Sequence, residues 1–307
     1  MRRMTFLLPL AAAAGLVAAG CGTAQPAAGP IRLTDDVGAH LSLQAPVTRI
    51  VSLGPSNTQI LLALGLRKDI VGIDDESIQY DPAPYGREAK GLTVVGDSYS
   101  GLDVEKIAAL RPQLVLAMQG VKNIQEIEAL HLKVATLDPT DMAGIYRDIG
   151  FVGAATGHAA KAAAVVASLR SRLAAVRTAV QGLSRPSVFI ELDPTQYYTA
   201  GPGSFLDTLI GFAGGRNIAD AVTREAYPAL SSETIIAQDP AVIVLLDAPY
   251  ASPQGVAKRP GWSDIAAVAH GRVEANIDPS LLSQPAPAVV QGVEELARDL
   301  HPGHRIP

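Results

Sequence analysis

Two stretches of this chain are spelled alike and lie 128 residues apart, as Glu105 does from Glu233. Residues 103–116 read DVEKIAALRPQLVL and residues 231–244 read SSETIIAQDPAVIV. Both give E-x-I-x-A-x-x-P and then an apolar run. Each therefore predicts a capped helix, a proline that stops it, and a buried strand. Two more echoes follow in the same order. VSLGPSNTQILLALG is matched in layout by VFIELDPTQYYTAGPGSFLDTLIGFAGG, and LKVATLDP (132–139) by GRVEANIDP (271–279). Three paired echoes in one order predict two lobes of similar topology, with loops of different length.

Short β-type runs alternate with helical stretches in both halves, so the fold class is α/β. Between the halves, HAAKAAAVVASLRSRLAAVRTAV (158–180) contains no Gly or Pro and is rich in Ala, Leu and Arg. It predicts one continuous helix of roughly 35 Å, a stiff joint where a flexible linker would be Gly/Ser-rich. The expected organisation is an N-terminal lobe over 31–157, a linking helix over 158–182 and a C-terminal lobe over 183–307. In the first lobe, RIVSL reads as a strand leading into PSNTQILLALGL, with Ser56 as N-cap, Gln59 completing a capping box and Gly65 ending the helix.

The N-terminus is of another kind. Arg2 and Arg3 precede an uncharged stretch over 4–20 that is short for a membrane span and ends in Ala18, Ala19 and Gly20. A basic start, an apolar run and small residues describe an export signal over 1–20. Cys21, the only cysteine, follows at once. It has no partner for an internal disulfide; the choice is between an incidental thiol and a modified one. Its place resembles the lipobox of bacterial lipoproteins, which implies lipidation at Cys21 and a flexible tether over 21–30. The expected location is the outer face of the cytoplasmic membrane, in the periplasm where a cell has an outer membrane.

Composition excludes one class of partner. A net charge of −5 with no Lys/Arg run offers no surface for nucleic acid. At 48% hydrophobic and 18% charged residues, the chain carries enough apolar side chains for a packed core.

RIVSLGPSNTQILLALGL, DVEKIAALRPQLVLA, AGGRNIAD, YPALSSETIIAQDPAVIVL and GRVEANIDPSLLSQPAP resemble the helical-backbone (class III) substrate-binding proteins of ABC importers for cobalamin, ferric siderophores and haem. The likeness runs from about residue 31 to the C-terminus. It implies a ligand cleft between the two lobes, a bulky metal chelate as ligand, and an ABC permease dimer with its ATPase as partner.

Six tyrosines fall in loops or at element ends: Tyr80, Tyr99, Tyr197, Tyr198, Tyr227 and Tyr250. A flat ring with a polar tip suits a cleft that grips a bulky ligand, although any one of them could serve loop packing. The resemblance assigns Tyr80, Tyr99, Met118, Tyr198, Tyr227 and Asp278 to the cleft, with Ser56 and Asn57 nearby. Where cobalamin binders carry tryptophan, these positions are Tyr or Met, and Leu282 stands where an arginine is expected. The segments hold acids (Asp97, Asp278) and almost no bases, which favours a near-neutral chelate, cobalamin or a hydroxamate siderophore, over a strongly anionic one. Haem is the alternative ligand. The resemblance also implies that Glu105 and Glu233, one per lobe, dock onto permease arginines.

Chemistry of other kinds finds little support. Gly54-Pro55-Ser56 between strand and helix is similar to a hydrolase nucleophile elbow, but Thr58 replaces the second glycine. The histidines lie in separate contexts, and no His/carboxylate set points to a metal centre. Gly201-Pro202-Gly203 lacks the lysine of a phosphate loop. The chain reads as a binding protein with no cofactor; an α/β hydrolase using Ser56 is the alternative from another class.

Overall fold

The computed structural model describes residue 1, residues 29–247 and residues 250–307. The export signal after Met1, Cys21 and nearly all of the tether lie outside the described residues. An antiparallel hairpin, β1 (Ile31–Thr34) and β2 (His40–Leu43), opens the fold. Asp35 fixes its turn and reaches across to accept from Thr136 N at 2.9 Å.

The first lobe then builds β3 (Ile50–Ser52), α1 (Pro55–Ala63), β4 (Ile70–Ile73), two short helices α2 (Glu76–Gln79) and α3 (Tyr85–Ala89), a small hairpin β5 (Gly96–Asp97) and β6 (Gly101–Leu102), α4 (Val104–Ala109), β7 (Leu114–Ala117), α5 (Ile124–Ala129), β8 (Val134–Thr136) and α6 (Met142–Ala155). The second lobe has β9 (Ser187–Glu191), α8 (Phe205–Phe212), β10 (Arg216–Asn217), α9 (Ser232–Gln238), β11 (Val242–Leu245), α10 (Pro253–Val256), α11 (Ala266–Ala269), β12 (Val273–Glu274), α12 (Ser280–Ser283) and α13 (Val289–Leu300). Between them runs α7 (Ala159–Val180), 22 residues and so about 33 Å long.

The echoes seen in the sequence are echoes of topology. The first sheet is ordered β4-β3-β7-β8 and the second β10-β9-β11-β12, both parallel. Numbered within each lobe, both are 2-1-3-4. Asp103 caps α4 and Ser231 caps α9, each accepting from a backbone N–H three residues on. Pro112 and Pro240 follow, and β7 and β11 occupy the same place in their sheets.

Every residue of β3, β7, β9 and β11 is buried, as expected of parallel strands covered on both faces. On one face, Ile50, Leu114, Leu116, Val188 and Val242 join a single apolar core that runs through Leu169, Leu173 and Val176 of α7. On the other face each lobe keeps a core of its own, around Val51, Leu53 and Ile107 in the first and around Phe189, Leu245 and Trp262 in the second. The linking helix is thus embedded. Arg172 on α7 holds Glu294 on α13 by two hydrogen bonds of 2.8 and 2.7 Å, and Arg170 lies over the ring of Tyr146 on α6.

One local expectation fails. Ser56 does not cap α1; the cap position is Gly54, with no side-chain cap bond, and Pro55 begins the helix. Proline has no N–H to be capped and fixes the first turn two residues earlier than a capping box at Ser56 would. Gln59 is freed for a longer reach: its amide donates to Asp81 Oδ1 at 2.9 Å and its carbonyl accepts from Ala288 N at 3.4 Å, in the other lobe. Ser204 does cap α8, accepting from Asp207 N at 3.1 Å. Gly65, in the left-handed region, ends α1 as expected.

Candidate functional site

A 2-1-3-4 sheet reverses its winding beside its first strand, and the loops leaving the first and third strands diverge there. Ligands of open α/β sheets bind at such switch points. In the first lobe the switch point is formed by the loops after β3 and β7. There Ser56 Oγ lies 3.4 Å from Met118 Sδ. Gly54 sits at φ 119°, and a Cβ at that position would come within 2.4 Å of the Met118 sulfur. The backbone conformation therefore calls for glycine, and any Cβ there would also displace the Met118 side chain.

In the second lobe the corresponding loops supply Leu192 and Asp193 after β9 and Leu246 and Asp247 after β11. With Tyr80 and Asp81, just past α2 of the first lobe, they line a cavity of about 870 Å³ between the lobes. Its further wall carries Asp278 and Tyr250. Among the described residues, none that lines it is Lys, Arg or His.

The four aspartates there are held differently. Asp193 Oδ1 accepts from Thr195 N at 2.8 Å and Gln196 N at 2.7 Å, and its bonds to the Thr195 hydroxyl and these amides hold its carboxyl below the usual range. Asp278 Oδ1 accepts from Ser280 N and Oγ. Asp81 has Gln59 on one oxygen and no partner on the other, and burial pushes it up to about 8. Asp247 is 7% exposed, accepts from no donor among the described residues on either oxygen, and is pushed up to about 7 by burial and by the neighbouring Glu191.

Glu191, at the end of β9, is fully buried and satisfied. Both its oxygens bond the guanidinium of Arg259, one at 2.7 Å. That guanidinium packs against both Trp262, 4.6 Å from the ring centre, and Tyr197, 5.1 Å away, two rings that also touch each other. Trp262 in turn donates to Ser232 Oγ at 2.8 Å. The one tryptophan of the chain is thus in the core behind the cleft, not at its surface.

The tyrosines expected at the cleft are mostly outward. Tyr80, Tyr99, Tyr198, Tyr227 and Tyr250 are all exposed, whereas Tyr197 turns inward onto Trp262. Tyr99 stands on the turn of β5–β6, where Asp97 Oδ1 accepts from Tyr99 N and Ser100 N. Tyr198 and Tyr227 lie on two segments paired backbone to backbone, Gly201 N to Ala226 O at 2.8 Å and Thr199 N to Pro228 O at 3.0 Å. A Cβ on Gly201 would strike Glu225 O at 1.9 Å, so a side chain there would force the segments apart. Tyr80 and Asp278 line the cavity itself. Met118 is half-buried. Ser56 and Asn57 are buried at 1% and 0% exposure, and neither side chain reaches the cavity.

Among the described residues, no histidine is hydrogen-bonded to Ser56: the rings of His40, His158, His270 and His301 bond Thr34, Thr156, Ala266 and Ala213. A carboxylate group that residue order did not reveal joins Asp75, Glu76 and Asp97, with oxygens within 4.8 Å of one another. Burial and then Asp75 push Glu76 up to about 8, so this cluster holds a proton at neutral pH. Glu105 and Glu233 stand exposed in the first turns of the equivalent helices α4 and α9. Glu233 is kept below the usual range by a backbone N–H and then by Ser231.

With the two-lobed geometry in place, comparison with known proteins is direct. Residues 50–275 match the Periplasmic binding protein family. The chain belongs to this family. It is 32% identical to an uncharacterized ABC transporter substrate-binding lipoprotein (YvrC) of Bacillus subtilis, over 89% of this chain and 86% of that protein. It is also 32% identical to a cobalamin-binding protein of Halobacterium salinarum, over 89% of this chain and 74% of that one. The solved periplasmic heme-binding protein RhuT of Roseiflexus superposes with a TM-score of 0.71 at 27% identity, covering 83% of this chain and 98% of that structure. The family accounts for the 2-1-3-4 lobes and the cavity between them, and these relatives are binding proteins. No helix among the described residues is long and apolar enough to cross a membrane.

Proposed function

We propose that this periplasmic binding protein is the extracytoplasmic receptor of an ABC importer, anchored through a lipid on Cys21, and that it carries a bulky, near-neutral metal chelate, a corrinoid or a hydroxamate siderophore. The observation that carries the reading is the cavity of about 870 Å³ at the switch point of the second lobe, closed by the first lobe at Tyr80 and Asp81. That volume is at the upper end of the range for small-molecule sites, about 300–1,000 Å³. Tyr80 and Tyr250 line it and supply flat surfaces for a large ligand, with Asp278 as a polar contact; Tyr99, Tyr198, Tyr227 and Met118, outside that lining, would meet only a ligand that extends beyond it. Ser56 and Asn57 support the first-lobe rim from beneath.

Delivery to the permease dimer with its ATPase would use Glu105 and Glu233. Their helices are equivalent in the two lobes, so the two carboxylates form a pseudo-symmetric pair suited to a two-fold partner. Haem is the second reading, favoured by the likeness to RhuT. The cavity disfavours it, because haem brings two carboxylates to a wall of aspartates without a base.

Native mass spectrometry of the mature protein against cyanocobalamin, ferrioxamine, ferrichrome, ferric enterobactin and haemin tests the ligand class; a complex with one of the neutral or cationic chelates is expected, and binding of none would defeat the reading. Labelled fatty acid should enter the wild type and not Cys21→Ser.

A further inference from the structure

We infer that Asp81 and Asp247, one from each lobe, act as the cleft's selectivity pair: they accept hydrogen bonds from amide N–H or hydroxyl groups at the edge of a near-neutral chelate and turn away chelates bearing free carboxylates or catecholates. This rests on the importer reading and adds to it the residues that choose among chelates.

The case begins with what the two groups lack. Both line the cavity between the lobes. Three of their four carboxyl oxygens, Asp81 Oδ2 and both of Asp247, are buried and receive no hydrogen bond among the described residues. Buried polar atoms are normally satisfied, because an unpaired one loses its hydration without return. The other two aspartates of the cavity follow that rule and are locked into their own turns: Asp193 by Thr195 and Gln196, Asp278 by Ser280. At Asp81 such a duty is only half present, where Gln59 engages one oxygen, and at Asp247 it is limited to the neighbouring Glu191 carboxyl, with which Asp247 can share a proton.

Among the described residues that line the cavity there is no cation to answer them. Arg259 is the nearest base to Asp247, and its fork is spent on Glu191. The donors that complete these carboxyls must come with the ligand. Amide-rich corrinoids and peptide-like hydroxamates carry such donors at their edges, whereas an anionic chelate would add like charge to a wall of four aspartates.

The charged and titratable groups around the pair are Glu191 and Arg259 beside Asp247, Asp74 and Tyr85 near Asp81, and Asp193, Asp278, Tyr80 and Tyr250 around the cavity. With Asp247 at about 7 and Asp81 at about 8, raising the pH through this range turns both from acids into pure acceptors. Selection against anionic ligands should therefore sharpen from pH 6 to pH 8.5.

Isothermal titration of the full mature chain with two matched pairs tests this: cyanocobalamin against its monocarboxylic acid derivative, and ferrichrome against ferric enterobactin. In the pair that binds, the neutral member should be favoured at least about tenfold at pH 8, and the preference should shrink at pH 6. Asp81→Asn/Asp247→Asn should cut the preference at pH 8 by about tenfold, weakening the neutral member and strengthening the acidic one. A ratio unchanged in the folded variant, a wild-type ratio independent of pH, or a preference for the acidic member overturns the selectivity pair while leaving the importer reading intact. Failure of all four compounds to bind overturns the importer reading and this inference with it.

Discussion

The two lobes wind their strands in the same order and place the same two loops at the switch point, yet they fill that point with opposite chemistry. Pairing of β3 with β7 and of β9 with β11 sets Leu53 of the first lobe level with Glu191 of the second, and the 128-residue repeat sets Gln119 level with Asp247. The first lobe has buried Leu53, Gly54 and the Met118 thioether. The second has Glu191, Arg259 and Asp247, stacked on Trp262. One topology thus supports an apolar layer at one switch point and an ionic layer at the other, and of these groups only Asp247 lines the cavity. The backbone makes the site and the side chains at a few equivalent positions decide what enters it.

The comparison is strictest where the lobes are most alike. Glu105 and Glu233 occupy one slot in the repeat, and if both dock, neither lobe suffices. Changing both to lysine should bring uptake and ATPase stimulation to background while ligand affinity stays within about twofold, well short of the ~1.4 kcal/mol that makes a decade. Uptake and affinity measured on the same variant separate docking from binding; normal uptake would remove the pseudo-symmetric role.

The ionic layer gives the next largest effect. Glu191→Ala leaves the Arg259 guanidinium buried without its carboxylate and should cost about 3–5 kcal/mol in urea unfolding. Glu191→Leu with Arg259→Met, which copies the first lobe's apolar choice, should recover most of that loss. A double variant no better than the single one would mean that the second lobe cannot accept the first lobe's solution.

Both lobes also bury carboxyl oxygens that accept no hydrogen bond among the described residues, Asp148 in the first and Asp299 in the second. Asp148 on α6 is 1% exposed, has one unpartnered oxygen, and is pushed up to about 8 by burial and then by Asp36. An unfolded aspartate loses its proton near pH 4, about 3.9. Between roughly pH 4 and 8 the folded chain keeps a proton that the unfolded chain has released, so this group's contribution to stability falls as pH rises across that window. Asp148→Asn should therefore gain on the wild type as pH goes from 5 to 8, by up to about 4 kcal/mol in the free energy of denaturant unfolding. A constant difference over that range would refute the assignment.

The smallest expected effect concerns the rim. Tyr99 comes from the first lobe and Tyr227 from the second, and both are half exposed. Alanine at both should weaken binding of the verified chelate at least tenfold, about 1.4 kcal/mol, as two aromatic contacts of roughly 0.5–1.5 kcal/mol each predict. Unequal losses in the single variants would tell which lobe grips first.

The sequence by itself determined the architecture. Hydrophobic periodicity, proline stops and caps are local signals, so α4–β7 and α9–β11 were legible as a repeat, and the Gly/Pro-free run over 158–180 as a helix, observed as Ala159–Val180. The tyrosines were legible as loop and element-end residues; that five of them are exposed while Tyr197 turns inward was not. Tertiary structure decided what those elements bring together. Asp81, Asp247 and Glu191 are unremarkable in sequence, and Arg259 and Trp262 sit in a plain KRPGW stretch; their meaning arises only when β9, β11 and the loop after α2 converge. The capping box at Ser56 and Gln59 failed on the same ground. A local bond to a backbone N–H lost to Pro55 at the helix start and to longer reaches, Gln59 across the joint to Ala288 and Ser56 to Met118. Local patterns fix which elements form because their energetics involve neighbours in the chain. Charge burial, cavity shape and pKa depend on groups dozens to hundreds of residues apart, and only the packed lobes set those distances.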